Sequence, residues 1–225
     1  MTLTCIIPAY NEAARIAAVL KAVLDHPMID EVIVVDDGSS DATAQVVAQT
    51  PARLIALPQN GGKTAALLHG LNAATGDLIL LVDADLIGLS PAHLTALIDP
   101  VRQGRADIAI SLRDNAPFLW RWIGLDYISG ERVLHKSLLT GQDTALKALP
   151  KFGFEVFLNS LLTARHARIA VVRWPGVISP IKSTKYGVWT GIKADAAMLR
   201  DLTRAVPPMG LLRQIRTMRR LRIAA

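Results

Sequence analysis

The sequence is short of several things, and each shortage removes a class of protein. It has one cysteine in 225 residues, Cys5. A lone thiol inside an apolar run builds no disulfide framework, so a buried structural thiol in a reducing, cytosolic setting is the expectation. No apolar stretch nears the roughly 20 residues that a helical membrane span needs. Met1-Thr2 runs straight into strand-like sequence, so no secretory leader is expected. Aromatic residues make up only 5%, and no RNA- or DNA-binding motif is present, which argues against nucleic acid as the partner. No repeat or low-complexity segment interrupts the chain. With 51% hydrophobic and 20% charged residues it is globular rather than disordered.

What is there begins with charge. The formal net charge is +6 and the pI about 9.8, which calls for an anionic partner: nucleic acid, an anionic bilayer or a phosphorylated substrate. The order of elements says more. Apolar runs at 3–8, 31–36, 53–57, 78–82 and 107–112 read as strands, with helical stripes at 12–25, 41–50, 63–74 and 90–102 between them. Asn11 is placed to cap the first of these helices, and Ser90-Pro91 has the form of a helix start. Strands alternating with single helices predict an α/β fold, a doubly wound and mostly parallel sheet with flanking helices. Beyond residue 112 helices are expected at 129–140, 155–167, 187–205 and 211–223, a strand at 169–172, and a hydrophobic loop or short helix at 117–127.

A parallel sheet delivers the loop after each strand to one edge, where such sheets bind ligands. Residues 8–12, 36–39 and 83–85 therefore converge. The sharpest of these loops is Asp83-Ala84-Asp85, directly after the buried run 78–82. In extended chain, side chains two apart project to the same side. Two hard oxygen donors placed so suit Mg²⁺ or Mn²⁺. The plainer alternative is that these aspartates shape a turn or cap the next helix.

Four stretches, Pro8-Ala9-Tyr10-Asn11-Glu12, Val35-Asp36-Asp37-Gly38-Ser39-Ser40-Asp41, Asn60-Gly61-Gly62-Lys63 and Asp83-Ala84-Asp85, together resemble the family-two glycosyltransferases of the GT-A fold. The resemblance implies a hexosyltransferase using a nucleotide-sugar donor, a UDP- or GDP-sugar. Pro8, Ala9 and Tyr10 would line the donor site, with the Tyr10 ring against the base. Asp37 would accept from base or ribose, Gly62 and Lys63 would sit at the diphosphate, and Glu12 would hold the first loop. Asp83 and Ala84 would approach the ribose, and Asp83 and Asp85 the metal, with Asp85 and Lys63 as catalytic groups. His135 and His166 are remote candidates for a third metal ligand.

Later segments narrow the resemblance to the polyprenyl- and dolichyl-phosphate hexosyltransferases. Ser129-Gly130-Glu131-Arg132, Phe152-Gly153-Phe154-Glu155 and Ser183-Thr184-Lys185-Tyr186-Gly187 resemble segments of that subgroup. The acceptor implied is polyprenyl phosphate, its phosphate met by Arg132, Lys182 and Lys185 near Tyr186. For a hydroxyl acceptor, Glu155 or Asp143 would be the base. Inversion at the anomeric carbon is implied by the resemblance alone. The alternatives are a soluble enzyme using a small phosphorylated acceptor such as a phosphoglycerate, and a non-catalytic nucleotide- or nucleic-acid-binding module.

The expected organisation is one catalytic domain over 1–205, with a nucleotide-sugar-binding half at 1–112 and an acceptor-binding half at 113–205. A basic amphipathic helix follows at 206–225. There Leu211, Ile215, Met218 and Leu221 keep helical spacing, Arg213, Arg216, Arg219 and Arg220 line other faces, and no acid follows Asp201. With Trp120-Arg121-Trp122 as an anchor, this reads as a binder of an anionic membrane surface, peripheral on the inner face. Docking on the domain itself, or on a second copy in a homo-oligomer, is the plainer alternative.

Overall fold

Runs of Val, Ile and Leu buried on both faces form the centre of the molecule, and helices cover them on either side. The computed structural model describes residues 1–150, 153–180 and 208–223. Its strands are β1 (Leu3–Ala9), β2 (Glu31–Asp36), β3 (Arg53–Ala56), β4 (Leu78–Leu81), β5 (Ile108–Arg113), β6 (Arg132–His135), β7 (Ile169–Trp174) and β8 (Arg222–Ile223). The helices are α1 (Ile16–Leu24), α2 (Thr43–Ala48), α3 (Lys63–Ala73), α4 (Pro91–Arg102), α5 (Phe118–Ile123), α6 (Asp143–Lys147), α7 (Phe154–Ala164) and α8 (Pro208–Arg220). The strands form one sheet in the order β3-β2-β1-β4-β6-β5-β7-β8. Among the described strands only β6 runs antiparallel, between β4 and β5. The α/β expectation of a mostly parallel sheet is met.

The chain turns one way from β1, through β2 to β3, and the other way from β4. Pairing of β1 with β4 ends at Ile6 and Leu81, although β1 continues to Ala9 alongside β2. Pro8 lies in that overhang, where its missing N–H leaves no partner on the β4 side unsatisfied. The two strands part there and open a crevice at the topological switch point, the usual ligand position in such sheets.

Three readings of the chain are corrected by the structure. Residues 129–140 are not helical: they hold β6 and a 3₁₀ turn at Lys136–Leu139. Val133 and Leu134 are fully buried on opposite faces of the sheet, one in each core cluster, so tertiary pairing overrides helical spacing. Asn11 does not cap α1. Its backbone is left-handed (φ 55°) and its side chain takes the amide of Ser40 at 2.9 Å instead. The apolar stripe of the terminal helix faces inward, with Met218 fully buried and Leu211, Ile215 and Leu221 packed on the same core as Leu158 and Leu162 of α7. Burying one such side chain contributes about 1.5–3 kcal/mol, so the stripe is committed to the domain. The Ser90-Pro91 start of α4 is present, with Ser90 and His93 forming a reciprocal cap. The helix expected at 187–205 lies outside the described residues. Among the described residues no helix is long and apolar enough to cross a membrane.

Candidate active site

The crevice between β1 and β4 is walled on one side by the loops after β1 and β2, which are stitched together by hydrogen bonds. The Asn11 amide donates to Ser39 Oγ at 2.9 Å, and the Glu12 amide to Thr43 Oγ1 at 2.9 Å. Asp41 accepts from the amides of Ala13 and Thr43 at 3.1 and 2.9 Å. Glu12 is buried and pairs with Arg15 at 2.6 Å, so it braces the loop. Ala9 is buried, Pro8 half-buried, and Tyr10 stands 40% exposed at the lip, where its ring is available for stacking.

Asp37 does something the sequence did not foretell. It is buried, and its two carboxylate oxygens take the amides of Gly61 and Gly62, each at 2.8 Å. The carboxylate therefore sets the turn that leads into α3. Gly62 has φ +91°, a conformation that needs glycine. A carboxylate has lone pairs left after two bonds, so accepting from a ligand stays open to it, but shaping this turn is its visible task.

The turn places Lys63 at the first position of α3, and its Nζ lies 2.7 Å from Asp83 Oδ1 and 2.9 Å from Glu155 Oε1. Three residues singled out separately in the sequence thus meet in one cluster. Burial alone would push the ammonium down, but the pull of Asp83 and Glu155 outweighs it and holds Lys63 above its ordinary value. Gly130 lies against this pair: a Cβ there would stand 2.5 Å from Lys63 Nζ and 2.7 Å from Asp83 Oδ1.

Asp83 and Asp85 follow β4 in a turn, with Ala84 buried between them. Ser179 Oγ donates to Asp85, 3.1 Å from each oxygen. That serine is brought in by a loop fastened at Ile178 to Ile87 (2.9 and 3.0 Å) and at Ser179 to Asn115 (2.6 and 3.3 Å). Nothing in the sequence marks Ser179.

The other wall carries a residue the sequence reading passed over. Arg113 ends β5 as Asp83 follows β4, and that polar residue closing an apolar run was the available signal. Its guanidinium lies 3.5 Å from Glu131 and 3.9 Å from Asp126, both buried. Burial disfavours its charge, but Glu131, Asp83, Asp126 and Asp85 together raise it above the ordinary arginine value. Ser111 and Ser129 hydroxyls hold Glu131 Oε2 at 2.7 and 2.9 Å. Arg113 is thus the counter-charge beneath the acids of the crevice.

Arg132 is corrected. It is fully buried in β6, donating to Ser129 O (2.8 Å), Asn159 Oδ1 (2.6 Å) and Tyr127 O (3.0 Å). Its donors bolt the 127–129 loop to α7, so no acceptor phosphate reaches them. His135 and His166 are also removed as metal ligands. His135 pairs with Leu78 at the start of β4, and His166 precedes β7, so both lie at the edge opposite Asp83. Lys182, Lys185 and Tyr186 lie outside the described residues, as does the Asp143 side chain.

The donor set at the crevice suits a hard divalent cation: two carboxylates two residues apart on one loop. Among the described residues no third His, Cys, Asp or Glu joins them in a metal-holding group. Mg²⁺ and Mn²⁺ sites of one or two carboxylates completed by substrate phosphates and water have this form.

Comparison with known proteins agrees with the geometry. Glucosyl-3-phosphoglycerate synthase of Mycobacterium tuberculosis is 33% identical over 112 residues, 46% of this chain and 35% of that protein. Dolichol-phosphate mannosyltransferase of Pyrococcus furiosus is 26% identical over 76% of this chain and 55% of its own. The chain therefore spans only about a third to a half of these curated relatives. A crystal structure of the M. tuberculosis synthase with Mn²⁺, UDP-glucose and phosphoglyceric acid superposes with a TM-score of 0.68, 26% identity, and coverage of 89% of this chain and 79% of that one. The sequence profile of glycosyl transferase family 2 matches residues 4–163. The chain belongs to glycosyl transferase family 2.

Proposed function

We propose that this protein transfers a hexose from a nucleoside-diphosphate sugar to polyprenyl phosphate at a membrane surface. The observation that carries the transferase reading is the cluster of Lys63, Asp83 and Glu155, with Asp85 beside it, at the mouth of the β1–β4 crevice. Tyr10 takes the base on its exposed ring, and the Asp37-shaped turn presents the α3 N-terminus and Lys63 toward the diphosphate. Asp83 and Asp85 would hold Mg²⁺ or Mn²⁺, whose charge offsets that developing on the leaving diphosphate. Lys63 adds a fixed positive charge beside the same oxygens, and Arg113 limits mutual repulsion among the acids. A phosphate acceptor is ionised at neutral pH and needs no strong base. Glu155, tied to Lys63, then orients that ammonium rather than taking a proton. The M. tuberculosis complex favours a UDP-sugar as donor, and the P. furiosus relative favours a lipid-phosphate acceptor.

A second reading, a small phosphorylated acceptor such as phosphoglycerate, draws support from the superposition on the M. tuberculosis synthase over 89% of the chain. Thermal shifts with UDP, GDP and their sugars, with and without Mn²⁺, test the donor site. One nucleotide should stabilise the protein only with metal, and Asp85→Ala should lose that gain and at least about 100-fold in transfer rate. A protein indifferent to every nucleotide with Mn²⁺ present would refute the reading. Transfer assays offering polyprenyl phosphate and phosphoglycerate side by side decide the acceptor.

A further inference from the structure

Helix α5 buries none of its residues. Phe118, Leu119 and Trp122 are 75%, 51% and 74% exposed, an unusual amount of apolar surface for one short helix. It is nonetheless fixed in place. Trp120 stacks on Tyr127 at 5.9 Å, and Arg222 Nη1 donates to Ile123 O at 3.2 Å, which joins α5 to β8, just beyond α8. Tyr127 in turn bonds Gln214 of α8. With its apolar stripe turned inward, α8 shows Arg213, Arg216, Arg219 and Arg220 outward, and Met209 and Leu212 stand exposed near its start. Residues 208–223 hold five arginines and no acid.

We propose that α5 and the arginine face of α8 form a single docking surface for an anionic lipid bilayer. Phe118, Leu119 and Trp122 enter the boundary between headgroups and acyl chains, and the arginines meet lipid phosphates. The tail thus acts chiefly through its charge, with Met209 and Leu212 adding to the apolar insertion that α5 leads. Other occupants fit less well. A twofold contact with a second copy would set arginine face against arginine face. Nucleic acid would use the arginines but leave Leu119, Met209 and Leu212 without a role. The inference rests on the membrane-borne acceptor for its purpose, since it would bring the crevice to a lipid-anchored phosphate.

Flotation of the full chain with phosphatidylcholine vesicles, with and without phosphatidylglycerol, tests it. The protein should float with the anionic vesicles alone and come off at high salt. Phe118→Ser with Trp122→Ser, and separately Arg219→Glu with Arg220→Glu, should each lower partitioning by about tenfold or more. Melting temperature and the metal-dependent nucleotide shift should not change, which separates lost docking from lost folding. Equal flotation of variants and parent, binding to neutral vesicles, or a parent that dimerises through these residues in place of binding vesicles would overturn the proposal. If vesicles bind but polyprenyl phosphate is not glycosylated, the docking surface stands and the acceptor reading falls. Transfer to that lipid in detergent without vesicle binding gives the reverse.

Discussion

On the β1–β3 side of the crevice polar side chains answer to backbone amides, whereas on the β5–β7 side charges answer to other charges. Asp37 takes the amides of Gly61 and Gly62, Asn11 that of Ser40, and Asp41 those of Ala13 and Thr43. Opposite them, Arg113 attracts Glu131 at 3.5 Å and Asp126 at 3.9 Å while the two acids repel each other, with Arg113 Nε and Nη1, Asp126 Oδ2 and Glu131 Oε1 buried and without hydrogen bonds. Amides are fixed by the fold, so the first wall has its shape before a ligand arrives. The second wall rests on a balance of charges that one proton changes. The first wall is thus preformed, and the second responds to protonation.

The largest effect should come from removing an amide-bound acid. Asp37→Ala leaves the buried Gly62 amide and its neighbour without acceptors, at about 2–5 kcal/mol of stability by urea denaturation. Glu131→Gln is the matched change on the other wall. Its amide oxygen still accepts from Ser111 and Ser129, and Arg113 keeps Asp126 as its counter-charge, so the loss should be less than half as large. Equal losses would erase the contrast between the walls.

A proton probes the second wall directly. Burial pushes the Asp126 carboxyl from 3.8 up to about 6, and the attraction of Arg113 offsets only part of this. The folded protein then binds that proton more tightly than the unfolded chain. The contribution of Asp126 to stability is therefore greatest below pH 4 and declines as pH rises to about 6, by at most about 3 kcal/mol. Asp126→Asn abolishes this slope, so between pH 4 and pH 6 the variant should gain on the parent in denaturation midpoint. A constant difference across that range would show that Asp126 is ionised throughout.

The two walls also differ in how far the sequence discloses them. Runs such as Val32 to Val35 and Leu78 to Leu81 are too apolar to sit anywhere but the centre of a sheet, and the loops after them carry residues of the crevice. Local spacing is enough there because each strand is followed by its own helix. Residues 132–135 are different: four residues inserted antiparallel between strands formed earlier in the chain have no local pattern to announce them. Misreading that strand as a helix also misplaces Arg132, which a surface helix would expose and the sheet buries. Asp83 and Asp85 are legible as a pair. That Asp83 shares Lys63 with Glu155, that Asp85 meets Ser179 and that Arg113 lies beneath them follow only from contacts between residues far apart in the chain.

Gly130 is where the walls meet, and it gives the smallest but most specific test. It belongs by position to the second wall, yet a Cβ added there falls 2.5 Å from Lys63 Nζ and 2.7 and 2.8 Å from the two Asp83 oxygens. All three atoms end side chains that can swing aside, so Gly130→Ala should change stability by less than about 1 kcal/mol. The ion pair must part to admit the methyl group, however, and the cation and diphosphate would meet a displaced Lys63 and Asp83. Donor affinity in Mn²⁺ should drop about tenfold, the equivalent of 1.4 kcal/mol, with the amide-bound turn at Gly61 and Gly62 unaltered in hydrogen exchange. A variant that binds donor as tightly as the parent would mean the first wall tolerates intrusion from the second, and the Lys63–Asp83 contact would then have no part in holding the donor.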